Sequence, residues 1–475
     1  MESSLTREFK EASRLLMEHL QNGEVPKIIT HNDADGLTAG AIAHGSILRE
    51  GYPAQTRVVK QLEEDIIVEL AKEDPRLVIF TDMGSSQLPE IKNHLLDKTF
   101  VIVIDHHQPK ELEHENLAHL NPHFHGIDGA REISGAGMTY FFFKAFNKRN
   151  VDLSSLAAVG ALGDIQDADG KFIGPNCDIL KDGEKAGVLK AEQDLRLFGR
   201  QTRPLYKALE YTTDPFVPGL SGSESSCVQF LKDLDIPVKR GEDLTMLADL
   251  DPDERQRLVT ALILKMIEHQ IPPEVAEGIV GEVYTLVKEE KRTTLRDARE
   301  FATILNACGK NKNQSVGLAI CLGERGEMYK RSLDFLKEHK TYLSSCYGWI
   351  SENVDKIKEM DALYHFHAGD DINENVLGTV ASMVLNSKVL KSVKPVIAFV
   401  NSEDGDVKVS SRGNKELIGR GLNLGKAMGY ASEKLGGKGG GHNIAAGAKI
   451  KIGEEEEFLK YVDEKIKEQM QDEHS

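Results

Sequence analysis

The chain has 475 residues, long enough for about three domains of ordinary size. Hydrophobic residues make up 40% and charged residues 28%, with a mean hydropathy of −0.35, a composition that excludes disordered and fibrous classes. The formal net charge of −17 argues against a basic coat for non-specific duplex binding, and no apolar run approaches the roughly 18 residues of a membrane-spanning helix.

The N-terminal stretch MESSLTREFKEASRLL is charged and amphipathic and lacks the apolar stretch of a secretory signal, so the cytoplasm is the expected compartment. Short β-branched or aromatic runs at Lys27 to Thr30, Thr56 to Val59, Leu77 to Phe80 and Phe100 to Ile104 alternate with helical pattern and predict a parallel α/β sheet. A small-residue helix is expected over Ser154 to Leu162. From about Asp182 to Thr294 the pattern turns helical, with apolar residues in helical spacing over Asp253 to His269 and Pro273 to Lys288. Strand signals return at Val316 to Leu322, Ala362 to His367, Val396 to Val400 and Val407 to Ser411. A glycine-rich loop, Gly436 to Gly441, then precedes an amphipathic helix over Glu454 to Gln471 that aligns Leu459, Val462, Ile466 and Met470. The expected organisation is an α/β domain over residues 1–181, a helical connector or insertion over 182–300 and a second α/β domain with an acidic terminal helix over 301–475. Cys177, Cys227, Cys308, Cys321 and Cys346 form no C-x-x-C or zinc-ribbon spacing and read as reduced, packed thiols.

Directly after the first strand stands His31-Asn32-Asp33-Ala34-Asp35-Gly36. In an open parallel sheet, ligands bind beyond the carboxyl ends of the strands, and alternation along an extended segment projects His31, Asp33 and Asp35 to one side. Taken alone, the segment reads equally well as a helix N-cap beside an incidental histidine. The placement recurs: Asp82 follows the third strand, Asp105-His106-His107 follows the fourth, and the pair Asp164 and Asp167 follows the small-residue helix. Carboxylates concentrated at one sheet edge are costly unless multivalent cations sit among them. Mixed carboxylate and imidazole donors suit Mn²⁺, with Mg²⁺ or Co²⁺ as related ions. The donors suffice for two ions ~3.5–4 Å apart, an arrangement that serves in-line attack at phosphorus. Phosphoester hydrolysis is the predicted reaction class.

These residues resemble the DHH phosphoesterases, whose name Asp105-His106-His107 spells out. The H-x-D-x-D-G, lone-aspartate and D-H-H motifs occur in family order, and Gly439-Gly440-Gly441-His442 is similar to the phosphate-binding G-G-G-H motif of the family's second, DHH-associated domain. Within the family the chain looks most like the archaeal RecJ-like single-strand nucleases of the GINS-associated group. The resemblance implies His31, Asp33 and Asp82 as ligands of one metal and Asp35, Asp82, His106 and Asp167 as ligands of the other, with Asp82 shared. Alignment on Gly163 favours Asp167 over Asp164. The family histidine that contacts a non-bridging phosphate oxygen corresponds to His107, and Asp105 is read as orienting a ligand histidine. Arg412 and His442 join Gly439, Gly440 and Gly441 as phosphate-binding candidates, Arg412 because a guanidinium fits phosphate bidentately.

What the resemblance implies is an Mn²⁺-dependent exonuclease that degrades single-stranded DNA, with RNA as a second substrate, in the 5′-to-3′ direction to 5′-mononucleotides during replication and repair. The GINS complex and the replicative helicase are the implied partners. Two other expectations compete: a small-substrate phosphoesterase acting on nano-RNA, a cyclic dinucleotide or pyrophosphate, and a replication scaffold. The basic run Lys288, Lys291, Arg292, Arg296 and Arg299 reads equally as a nucleic-acid track or a solvated helix face. His114, His119, His123 and His125 read as surface residues.

Overall fold

The near-continuous apolar runs Leu77–Thr81 and Phe100–Ile104 become the central strands of a parallel sheet, buried on both faces as such runs require. The computed structural model describes all residues except 1–2, 213–214, 311–312, 388–389, 391–392, 403–404 and 472–475. It divides into two compact units, Met1–Leu336 and Lys337–Ser475. No helix among the described residues is long and apolar enough to cross a membrane.

The first unit opens with α1 (Ser3–Gln21), β1 (Lys27–His31), α2 (Ala34–Arg49), β2 (Gln55–Val59), α3 (Glu64–Lys72), β3 (Leu77–Thr81), α4 (Leu88–His94), β4 (Phe100–Ile104) and β5 (Leu117–Leu120). The strands form a parallel five-stranded sheet in the order β2-β1-β3-β4-β5. Side chains alternate between two layers. Ile28, Ile79 and Ile102 meet α1, α2 and the later helices α5 (Gly135–Phe146) and α6 (Ser154–Gly163), whereas Ile29, Phe80 and Val103 meet α3 and α4. Because Thr30 pairs with Thr81 and Thr81 with Ile104, the carboxyl ends of β1, β3 and β4 lie side by side.

After α7 (Asn176–Lys185), strand β6 (Leu189–Leu195) leads into an inserted module of α8 (Leu205–Glu210), α9 (Glu224–Asp233), the small hairpin β7 (Lys239–Arg240) and β8 (Asp243–Leu244), α10 (Pro252–Glu268) and α11 (Pro273–Glu277). The module has its own core, including Leu209, Leu231, Leu258 and Met266. The helix expected over Pro273 to Lys288 stops at Glu277, and Val280–Leu286 forms β9, antiparallel to β6. Its apolar residues at 280, 283 and 286 fit a helical spacing, but pairing with a strand about 90 residues upstream, well outside any local window, gives them a sheet instead. The strand expected over Val316 to Leu322 is likewise a helix, α13 (Gln314–Cys321). Short apolar runs do not separate the two states by periodicity; here Val316 and Ile320 bury against the same core as α12 (Ala298–Lys310). Residues 298–321 therefore pack with the first unit, where the sequence reading began the second domain at 301. Helix α14 (Glu327–Glu352) contains the division.

The second unit is a six-stranded mixed sheet in the order β10-β11-β12-β13-β15-β14, built from β10 (Lys358–Glu359), β11 (Tyr364–His367), β12 (Val396–Asn401), β13 (Val407–Arg412), β14 (Lys438–Gly441) and β15 (Ala445–Ile450). Helices α15 (Leu377–Leu385), α16 (Lys415–Gly419), α17 (Leu424–Lys434) and α18 (Glu455–Gln471) complete it. Phe458, Leu459, Val462 and Ile466 carry α18 onto the core. The glycine run expected as a loop is partly the edge strand β14, paired with β15. Glycine is required by proximity at Gly439, where a Cβ would collide with Ser432 Oγ and lie 2.9 Å from the Met428 carbonyl oxygen. Gly439→Ala should therefore cost about 1–3 kcal/mol through forced separation of α17 and β14, read as a lower midpoint in urea unfolding followed by far-ultraviolet circular dichroism.

Candidate metal centre

At the end of β1 the chain turns into α2 with Asp33 as the N-cap, its Oδ1 accepting the Gly36 N–H at 2.9 Å. The capping role and a ligand role coexist, because Asp33 Oδ2 is left 2.8 Å from His31 Nδ1. Two residues on, Asp35 points inward. Its two carboxylate oxygens accept the N–H groups of Gly135 (2.6 Å) and Ala136 (2.9 Å) at the start of α5. Asp82 follows β3 with φ of +60°, its backbone N–H donating to the Ile104 carbonyl. That turn aims its side chain between two imidazoles: Oδ1 lies 3.2 Å from His106 Nε2 and Oδ2 3.6 Å from His31 Nδ1.

The two imidazoles are oriented by backbone carbonyls. The Lys60 carbonyl lies 3.0 Å from His31 Nε2, and the Gly129 carbonyl 2.7 Å from His106 Nδ1. A carbonyl can only accept, so one N–H of each ring is committed there and the other ring nitrogen faces the carboxylates, carrying a proton toward them in the metal-free state and free to offer its lone pair to a cation once that proton leaves. Asp105 stands apart from this group. Its Oδ1 accepts His107 Nδ1–H at 2.8 Å and its Oδ2 accepts the Ser85 N–H at 3.0 Å, so it holds His107, which is half-exposed.

The last acid corrects the reading drawn from alignment. Asp164 Oδ2 lies 3.3 Å from His106 Nε2, whereas Asp167 is fully buried and its Oδ2 accepts Arg196 Nη2 (2.9 Å) and Arg299 Nη2. The register of Gly163 does not decide which carboxylate faces the centre. Ile165 adopts a left-handed conformation, and the chain reverses between the two acids. Three donor groups result, each with its atoms within 4.8 Å of one another: His31, Asp33 and Asp82; Asp35, His106 and Asp164; and Asp82, His106 and His107.

Crowding shows in the electrostatics. Burial and the neighbouring Asp82 charge push the Asp35 carboxyl up to about 7, and burial with Asp35 nearby pushes Asp164 well up. Burial alone would raise Asp82, but the neighbouring His106 and His31 imidazoles hold it below the ordinary carboxylate range. Burial alone would lower both imidazoles, yet Asp33 raises His31, and Asp82 with Asp164 raises His106, well above the usual value. Buried Asp82 Oδ1 and His106 Nε2 have no well-formed hydrogen bond in the described structure. Paired lone pairs, orphaned buried atoms and repelling carboxylates are the donor chemistry of a divalent cation site, so the residues fit the ions that the motifs imply.

A supporting layer escaped the sequence reading. Gln166 Nε2–H donates to the same Gly129 carbonyl at 2.9 Å, and Asn176 donates to Gln166. His123 Nε2 contacts the His106 carbonyl, and Asn121 donates to the His107 carbonyl and to Ser85 Oγ, which also meets His119. His119 and His123 are thus braces of the D-H-H segment rather than surface residues; burial pushes the His119 imidazole down to about 4. From α12, Asn306 Oδ1 accepts the N–H of Ala34, between Asp33 and Asp35. No local pattern marks these residues, because their partners are up to 272 positions away. The basic run is largely spent on structure: Arg292 pairs with Asp243 and Asp249, Arg296 donates to the carbonyls of Val287 and Glu289, and Arg299 holds Asp167.

In the second unit, Arg412 ends β13 opposite Ala445, and the His442 N–H donates to the Ala445 carbonyl across the β14–β15 turn, so both candidates share one end of that sheet. Arg412 Nη1 donates to the Ser411 carbonyl, and burial lowers the guanidinium pKa from its ordinary value. It has no acidic partner among the described residues. Gly439 and Gly441 pair with Ala448 and Ala446 in the edge ladder, and Gly440 with Gly447.

Comparison with known proteins places the chain in a family. Residues 27–163 match the DHH family's N-terminal domain, residues 197–280 the DHH-CID domain and residues 359–468 the DHHA1 domain. The uncharacterized protein MJ0831 of Methanocaldococcus jannaschii is 34% identical over 474 residues, 98% of each chain. The chain belongs to the DHH family. Within it, the single-stranded-DNA-specific exonuclease RecJ of Thermus thermophilus is 27% identical over 214 residues, which are 42% of this chain and 31% of that protein. The fold is similar to that of Thermus thermophilus RecJ in complex with Mn²⁺, with a TM-score of 0.61 at 16% identity over 97% of this chain and 55% of that one. It is also similar to Cdc45 of Entamoeba histolytica, with a TM-score of 0.63 at 12% identity over 97% and 99%. The DHH-CID match falls within the inserted module between β6 and β9.

Substitution and pH each give an expectation for this DHH centre. Asp164→Asn should weaken Mn²⁺ binding at least tenfold by isothermal titration with little change in melting. Asp167→Asn, which leaves two arginines facing a neutral amide, should cost about 3–5 kcal/mol of stability in chemical denaturation.

The second expectation concerns pH. Between about pH 4 and 7 the metal-free folded chain keeps the Asp35 proton that the unfolded chain has lost, so its stability falls as pH rises through that window. The raised imidazoles carry the fall higher. The gain from Asp82 and Asp105, both held low, is already complete above the ordinary carboxylate range. Scanning calorimetry should find the metal-free chain melting lower at pH 8 than at pH 6, with the larger recovery on adding Mn²⁺ at pH 8.

Proposed function

We propose that this DHH protein is a divalent-metal-dependent exonuclease that hydrolyses the phosphodiester bonds of single-stranded DNA, and of RNA as a second substrate, in the 5′-to-3′ direction to 5′-mononucleotides. The observation that carries the reading is the pair of imidazoles, His31 and His106, each with one ring nitrogen committed to a backbone carbonyl and the other aimed at a shared carboxylate, Asp82. His31, Asp33 and Asp82 would hold one ion and Asp35, His106 and Asp164 a second, with Asp82 common to both and Mn²⁺ the ion that suits the donors best. Bound ions would supply Lewis-acid charge at a phosphoryl oxygen and a nucleophile at neutral pH.

The chain's own residues supply the rest. Asp105 fixes His107 through Nδ1, leaving the Nε2–H of the half-exposed ring to donate to a non-bridging phosphate oxygen, a proton that the Asp105 charge favours by raising the His107 pKa against the effect of burial. Carbonyl-fixed tautomers at His31 and His106 keep donor geometry from being lost to ring rotation. Arg412 and His442, with Gly439 to Gly441, are the proposed phosphate contacts of the second unit. The similarity to the Thermus thermophilus RecJ, a single-stranded-DNA-specific exonuclease, supports the choice of substrate.

A second reading, part of a replication assembly with GINS and the helicase, is favoured by the fold similarity to Cdc45 over 99% of that chain. Both readings are compatible with one active centre.

End-labelled single-stranded DNA and RNA incubated with Mn²⁺ and resolved at single-nucleotide resolution test the proposal. Progressive shortening from the 5′ end is expected, and Asp82→Ala should lower the rate more than tenfold while its melting temperature stays within a few degrees. Hydrolysis of dinucleotides or pyrophosphate alone would move the substrate to a small phosphoester, and an Asp82→Ala variant retaining more than about a tenth of the rate would remove the shared carboxylate from the chemistry, given the several kcal/mol that metal ions contribute.

A further inference from the structure

Helix α6 ends in a Schellman arrangement. The Ile165 N–H donates to the Leu162 carbonyl at 3.2 Å and the Gln166 N–H to the Ala161 carbonyl at 3.0 Å. This termination places residue 165 in the left-handed region, at φ +57°, a position that glycine ordinarily fills and where a β-branched side chain is strained. The backbone has a reason to turn there. Asp164 sends its carboxylate to His106, Gln166 reaches inward to the Gly129 carbonyl, and Asp167 is sealed between arginines. One left-handed residue among three inward-facing neighbours reverses the chain and throws its own side chain outward.

Nothing in the packing asks for isoleucine at that point. Ile165 is 64% exposed, as exposed as any large apolar side chain among the described residues, and belongs to none of the hydrophobic clusters. Scattered exposed apolar residues are ordinary. This one occupies a backbone position that penalises it, next in the chain to Asp164, whose carboxylate belongs to the centre and is also partly open to solvent. A strained, exposed apolar residue beside a site is accounted for by what it touches when the site is filled.

We propose that Ile165 is a substrate contact whose side chain packs against the base of the nucleotide delivering its phosphate to the centre. This rests on the proposed nuclease reading. Every base has an apolar face, so such a contact adds binding without base selection, the tolerance that a single-strand nuclease needs.

The test compares wild type, Ile165→Gly and Ile165→Leu on an ordinary single-stranded oligonucleotide and on one with abasic residues at the digested end, alongside thermal melting. Ile165→Gly should melt about 1–2 °C higher because backbone strain is relieved, while KM on the ordinary strand rises about tenfold and kcat stays within twofold. Ile165→Leu should keep the wild-type KM. On the abasic strand wild type and Ile165→Gly should have equal KM, because the partner of the side chain is already gone. A KM for Ile165→Gly within twofold of wild type on the ordinary strand, an equal rise on both strands, or a lower melting temperature would overturn the proposal, the last by showing that the side chain packs. Wild-type cleavage with an unaffected glycine variant overturns this inference alone; a wild type inert on both strands overturns the nuclease reading and this inference with it.

Discussion

Four carboxylates, those of Asp33, Asp35, Asp82 and Asp164, converge on two imidazoles at one edge of a parallel sheet, and the rest of the first unit is arranged around that concentration of charge. In a low-dielectric edge such a group is unstable by itself, and the chain relieves it in three ways. Backbone N–H groups at the start of α5 neutralise part of Asp35, proton uptake by the histidines offsets the rest in the metal-free state, and cation binding would do so more completely. The price is stability above neutral pH without metal.

The geometry depends on residues that never reach the centre. Gly129 offers one carbonyl to both His106 and Gln166, so the fourth motif and the D-H-H motif are tied at a single oxygen. Asn306 on α12 holds the backbone between Asp33 and Asp35, and Arg299 on the same helix holds Asp167. One helix that follows the inserted module thus braces two loops of the centre. Its hydrophobic face, with Phe301, Ile304 and Leu305, lies in the core of the first unit. Buried ion pairs such as Arg200 with Asp194 and Asp297 join the base of the module to the same region. Such pairs owe their value more to specified geometry than to net stabilisation.

In the second unit the glycine run serves packing as well as any ligand role. Gly439 lets the edge strand β14 lie against α17 at a distance no side chain permits, and Gly441, at φ +143°, would bring a Cβ within 2.6 Å of the Ala446 Cα. The run is therefore constrained by neighbours on the same unit, which is why a loop expected from composition is found in a sheet.

From the sequence alone, local patterns determined four strands of the first sheet, β11, β12 and β13 of the second, the small-residue helix, the amphipathic terminal helix and the clustering of His31, Asp33, Asp35, Asp82 and His106 at the carboxyl ends of strands. Each is a matter of short-range periodicity or of residue type placed just after an apolar run, and parallel neighbours bring such placements together without further information. Tertiary structure decided the rest. Val280–Leu286 became a strand because β6 was there to pair with it, and Val316 to Cys321 became a helix because the first core had room for one. Between Asp164 and Asp167 the choice lay in a single left-handed residue, Ile165, and in two arginines from the segments that flank the module, 29 and 132 positions away from Asp167. Spacing along the chain carries no record of a dihedral angle that long-range ion pairs impose.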